Sequence, residues 1–112
     1  MTELQGKCFD VIVVGGGPAG MAAAYTAYTC GAGDVLILER EQYLGGVLPQ
    51  CVHDGFGLHL YGSSTTGPEY ARLWSDKIQA INIKAALSAS VLEIRQDRKS
   101  RMFLVDVISA DF

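Results

Sequence analysis

An apolar run, Val11-Ile12-Val13-Val14, passes at once into Gly15-Gly16-Gly17-Pro18-Ala19-Gly20 and then into a small-residue stretch, Met21 to Ala24. The run reads as a buried strand of a parallel sheet. The spacing Gly15-x-Gly17-x-x-Gly20 is the dinucleotide-binding fingerprint when a strand precedes it and a helix follows. Gly15 allows the tight turn out of the strand. Gly17 lets a pyrophosphate approach the backbone, and Gly20 lets the helix lie close on the sheet. Pro18 falls at the start of the helix, where its fixed φ fits and its missing N–H costs nothing. The helix dipole and free N–H groups then face the phosphates. A second apolar run, Val35-Leu36-Ile37-Leu38, ends in Glu39, where a ribose diol needs its acceptor. The plain alternative is a glycine-rich βαβ turn without a ligand. It leaves the joint register of strand, glycines, proline and acid unexplained.

At 112 residues the chain has room for one domain. A net charge of −3 argues against a nucleic-acid surface. Cys8, Cys30 and Cys51 form no CxxC or zinc spacing and read as reduced thiols of a cytoplasmic protein. Neither a signal peptide nor a membrane span is expected.

The first strand is expected over about Cys8 to Val14, behind a loose terminus, Met1 to Gly6. The first helix should run from Pro18 to about Cys30, closed by Gly31. The second strand covers Asp34 to Glu39. Gly45-Gly46 opens a stretch without clear period. Thr66-Gly67-Pro68-Glu69 is a capping box. The helix it opens should carry Tyr70, Leu73, Trp74, Ile78 and Ile81 on one core-facing stripe, with the stem of Lys77 along it. Ile83 to Ala85 fits a short parallel strand. Ser90 to Arg95 and Arg101 to Ser109 fit a hairpin, with Arg95, Arg98, Lys99 and Arg101 at a solvated end. The expected fold is α/β: a Rossmann-like βαβ unit with a parallel sheet, a second helix and a C-terminal antiparallel β-hairpin.

Gly15, Gly17, Gly20, Ala24, Gly31, Glu39 and Gly45-Gly46 together resemble the N-terminal FAD-binding segment of two-dinucleotide-binding-domain flavoproteins, the glutathione-reductase-like class. The spacing from Gly31 to Glu39 is one residue longer than that pattern. Residues 44 to 71 resemble a narrower group, bacterial FAD-dependent oxidoreductases similar to the flavin subunit of anaerobic glycerol-3-phosphate dehydrogenase. The resemblance implies that Gly15, Gly17, Pro18, Ala19 and Gly20 hold the FAD pyrophosphate. It places Glu39 on the adenosine ribose, with Arg40 beside it. Gly45, Gly46 and Val47 would pass near the pyrophosphate and flavin. Val91 would offer its backbone to adenine, with simple strand packing as the alternative. The CxxxxC pair of the disulfide reductases is missing, because only Cys51 lies in reach.

The resemblance therefore implies an FAD-binding segment of a larger oxidoreductase, a single partial domain over residues 1–112. A small-molecule substrate, and an NAD(P) site in the rest of the parent protein, complete that picture. Cys51 and His53 would be its catalytic candidates near the flavin. Cys51 as a small buried hydrophobe and His53 as a structural loop residue stand beside that reading. Two other functions stay open. One is an NAD-binding module without redox chemistry, for which Glu39 disfavours a 2′-phosphate. The other is an inactive fragment that self-associates through exposed sheet edges.

Overall fold

The computed structural model describes residues 4–46 and 66–109. Strands β1 (Val11–Val14), β2 (Val35–Leu38) and β3 (Ile83–Ala86) form a parallel sheet in the order β1-β2-β3. Helix α1 (Pro18–Thr29) joins the first two, and α2 (Gly67–Gln79) precedes the third. An antiparallel pair, β4 (Ala89–Gln96) and β5 (Phe103–Ser109), follows. This is the α/β arrangement expected from the sequence.

The central strand, β2, feeds two cores. Its side chains alternate across the sheet, so Val35 and Ile37 join Met21, Ala24, Trp74 and Ile78 on the helical side. Leu36 and Leu38 join Ala86 and Ala89 on the other, beneath Val91, Val105 and Val107 of the hairpin. All four β2 residues are buried. At about 1.5–3 kcal/mol per buried aliphatic side chain, this strand is the main hydrophobic anchor of both layers. β1 departs from the expected burial: Val14 is 51% exposed. Among the described residues β1 pairs with β2 alone and so stands at the sheet's edge. Residue Leu4 also departs from expectation, packing against the second core rather than lying loose.

Helix α1 ends in a Schellman motif. Gly31 takes φ 109° and donates its N–H to the Tyr28 carbonyl, while Ala32 donates to Ala27. The start of α2 is the expected capping box. The Thr66 Oγ1 accepts from the Glu69 N–H, and the Glu69 carboxylate accepts the Thr66 N–H (3.1 Å) and hydroxyl (2.7 Å). Its buried face is Gly67, Ala71, Trp74 and Ile78. Leu73 is instead 39% exposed, because it stands about 100° round the helix from Trp74. Ile81 lies beyond the helix end. Lys77 packs its ammonium 5.2 Å from the Trp74 ring and 5.3 Å from the Tyr25 ring, a tie between the two helices. Tyr25 and Trp74 themselves meet edge to face, 6.0 Å apart.

In the hairpin, Leu92 is the extra residue of a bulge between Val91 and Glu93. Arg95 is not simply solvated with the other tip cations. Its guanidinium pairs across the strands with Asp106 at 2.6 Å. Among the described residues, no helix is long and apolar enough to cross a membrane, and no cluster of His, Cys, Asp or Glu is arranged to hold a metal.

Replacing Thr66 with Ala should lower stability by about 1 kcal/mol, read from urea denaturation. The Thr66 hydroxyl, and then its N–H, hold the Glu69 carboxyl below its ordinary value. Its contribution is therefore complete above the ordinary carboxylate range and is lost as pH falls through the lowered value. Glu69→Gln should accordingly be less stable than the parent at neutral pH, with the difference closing in acid.

Candidate functional site

Parallel pairing of Val14 with Leu38 sets the first residue after each strand side by side. Gly15 donates its N–H to the Leu38 carbonyl at 2.8 Å and turns away with φ 101°. Only glycine adopts that angle freely. Glu39 leaves β2 beside this bend, is 6% exposed, and points its carboxylate into it. Oε1 accepts from the Gly16 N–H at 2.7 Å, and Oε2 accepts from the Glu41 N–H at 2.7 Å. Each oxygen retains acceptor capacity beyond that one bond.

The glycines of the bend answer to different constraints. A Cβ at Gly20 would collide with the Gly15 carbonyl oxygen and meet the Val13 side chain at 3.3 Å. The helix can approach the strand only without it. Gly17 is the N-cap of α1, with φ −74° and no side-chain cap. Among the described residues, a Cβ there would meet nothing closer than the Gly46 Cα at 3.9 Å. Neither backbone angle nor internal packing requires glycine at that position. Pro18 brings no N–H, and the amides of Ala19 and Gly20 open the helix without a capping side chain.

The second glycine pair belongs to the same body. The Gly45 N–H donates to the Gly16 carbonyl at 2.8 Å, so the Gly16 residue is held through both its N–H and its C=O. Gly45 and Gly46 take φ 124° and 61°. A Cβ on Gly46 would stand 3.2 Å from the Gly17 Cα. The structure therefore brings together Gly15, Gly17, Pro18, Ala19, Gly20, Glu39, Gly45 and Gly46.

Arg40, with a largely exposed side chain, faces Glu41 at 3.8 Å and borders a cavity of about 540 Å³. Gln42, Tyr43, Ser88, Ser90 and Ile108 also line it. Val91 sits one residue beyond Ser90 and packs its side chain into the second core. Val47, Cys51 and His53 lie outside the described residues. Gly16 carries no signal of its own in the sequence, yet its N–H is engaged by Glu39 rather than left free for an anion. Glu41 and Ser88 likewise have only ordinary side chains to mark them.

Gly20→Ala should destabilise the protein by about 1–3 kcal/mol through forced separation of α1 from β1. Gly17→Ala loses the better N-cap residue but gains from a less flexible unfolded chain, so the two effects should nearly cancel, to within about 0.5 kcal/mol. Guanidinium unfolding of the two variants checks the contrast.

Residues 10–101 match the family described as FAD dependent oxidoreductase. Over 66 residues the chain is 46% identical to digeranylgeranylglycerophospholipid reductase 2 of Methanopyrus kandleri, covering 59% of this chain and 15% of that protein. Over 39 residues it is 59% identical to thiamine thiazole synthase of Aeropyrum pernix, covering 35% of this chain and 14% of that one. Among solved structures, L-proline dehydrogenase from P. horikoshii superposes with a TM-score of 0.70 at 26% identity, over 92% of this chain and 19% of that chain. Thioredoxin reductase of Lactococcus lactis gives 0.68 at 27% identity, over 94% and 32%. The fold is thus that of FAD-binding Rossmann-like domains, and the chain spans a minor part of each of these proteins. With most of its length matched to the family model, the chain belongs to the FAD-dependent oxidoreductase family.

Proposed function

We propose that this chain is the FAD-binding segment of a flavin-dependent oxidoreductase of the glutathione-reductase-like class, without a dithiol pair. The narrower likeness to the flavin subunit of anaerobic glycerol-3-phosphate dehydrogenase is part of this reading. The observation that carries it is the Glu39 carboxylate, buried beside the glycine bend and held there by two backbone N–H groups. Two carboxylate oxygens at one fixed place suit the two hydroxyls of a ribose. Gly17 supports the same reading, since it is a glycine that the fold itself does not demand.

In this reading the amides of Ala19 and Gly20 and the dipole of α1 take the pyrophosphate. Glu39 accepts from the adenosine ribose, and Arg40 closes the outer side. Gly46 keeps the backbone low beside Gly17, so that the diphosphate can lie against both turns. The Val91 backbone would meet the adenine edge. Val47 would follow the pyrophosphate, and Cys51 and His53 would stand on the flavin side. The bound flavin supplies the redox chemistry, and the protein supplies binding and orientation. The substrate, a small molecule, and an NAD(P) site fall to the rest of a longer cytoplasmic parent protein. The isolated chain is then inactive and pairs with further copies through its open sheet edges.

Purified protein titrated with FAD should gain a protein-bound flavin spectrum, with ADP competing and NADH binding more weakly. A folded preparation that takes up no flavin would overturn the reading. Glu39→Gln should weaken ADP binding about tenfold to a hundredfold, the loss of a hydrogen bond to a charged acceptor. Gly17→Ala should weaken it while shifting stability by no more than about 0.5 kcal/mol. Sedimentation should reveal association that grows with concentration.

A further inference from the structure

The corner between β3 and β4 holds a residue in an unusual conformation. Ser88 takes φ 55°, a left-handed angle that costs a non-glycine residue about 1 kcal/mol or more. Along a regular strand, successive N–H groups point in opposite directions. At this corner they do not. The Ser88 N–H donates to the Glu41 carbonyl at 2.9 Å, and the next N–H, of Ala89, donates to the Glu39 carbonyl at 2.9 Å. Glu39 in turn donates its N–H to the Ala86 carbonyl at 2.9 Å. Three backbone bonds thus stitch residues 39–41 onto one corner, and the left-handed turn at Ser88 aims two consecutive donors at the same segment. Glu41 is the residue whose own N–H holds Glu39 Oε2.

We propose that Ser88 is a positioning residue for the ribose site: its left-handed backbone clips Glu41 in place, and Glu41 orients the Glu39 carboxylate for a vicinal diol. The inference rests on the ribose-binding reading of Glu39 given above. It assigns to Ser88 a role through backbone geometry alone. A residue that tolerates the left-handed region should serve as well, and one that does not should fail. Glycine is the first kind and a β-branched residue the second.

The test compares ADP with 2′,3′-dideoxy-ADP, which keeps the diphosphate and lacks the diol. The wild-type protein should favour ADP by about tenfold or more. Ser88→Gly should keep that ratio. Ser88→Val should bring it towards one while binding the dideoxy compound as the wild type does. A folded Ser88→Val protein with an unchanged ratio would overturn the role of Ser88 and leave the ribose reading intact. A wild-type protein that does not distinguish the two nucleotides would overturn the ribose reading, and the proposal with it. Amide hydrogen exchange on the wild type asks the same question without any substitution at the corner. Protection of the Ser88 and Glu41 amides should rise together with ADP and not with the dideoxy compound. Independent behaviour of the two amides would refute the coupling.

Discussion

A carboxylate buried to 6% exposure needs partners, and Glu39 finds them in two backbone N–H groups. Leaving a buried charge unpaired would cost several kcal/mol or force it to neutralise. The bond to Gly16 therefore ties the end of β2 to the turn after β1. It can form only if the strands keep the register that sets Val14 beside Leu38. A slip of one residue would send Glu39 to the wrong face of the sheet and exchange the two cores that β2 supplies. The hydrophobic anchoring of β2 and the placement of the acid are thus one constraint seen at two ends of four residues.

The turn that receives Glu39 is built almost wholly from backbone. Gly15 bends the chain, Gly20 lets the helix come in under the bend, and Gly45 locks the Gly16 carbonyl from outside. With its N–H spent on Glu39 and its C=O on Gly45, Gly16 has no freedom to reorient. The bend is therefore fixed by folding, and a ligand bound there as proposed would meet it pre-organised. The cost of ordering that binding would otherwise carry has already been met by folding. Under the proposed reading an anion would take the start of α1, where Pro18 has no N–H and the N-cap, Gly17, has no side chain to cap the amides that follow.

Much of this was legible in the residues. Strand, bend and helix could be read because each motif glycine answers to a different local demand, and Glu39 because it ends an apolar run. Thr66 and Glu69 announced α2 by chemistry that acts over four residues. Other features had no local signature. Gly16 looks like filler between two motif glycines, and its bond to Glu39 joins positions 23 residues apart. Ser88 carries a left-handed angle usually left to glycine or asparagine, so no residue type marks the corner between the two expected strands. Leu73 leaves the expected stripe of α2 because tertiary packing sets a small residue, Ala71, against the core instead. β1 looked as buried as β2, since an apolar run does not say how many neighbours a strand has.

The glycines also separate what the fold requires from what it permits. Gly15, Gly31, Gly45 and Gly46 stand at positive φ, where other residues are strained. Gly20 sits at ordinary φ and is demanded by contact with the Gly15 carbonyl. Gly17 meets neither condition, yet it lies between the helix start and the Gly46 turn, at the mouth of the bend. Among the described residues, a Cβ there would make no contact tighter than an ordinary van der Waals one. Stability gives this glycine only the modest N-cap preference over alanine, and in the proposed reading a ligand's approach to the backbone gives the rest.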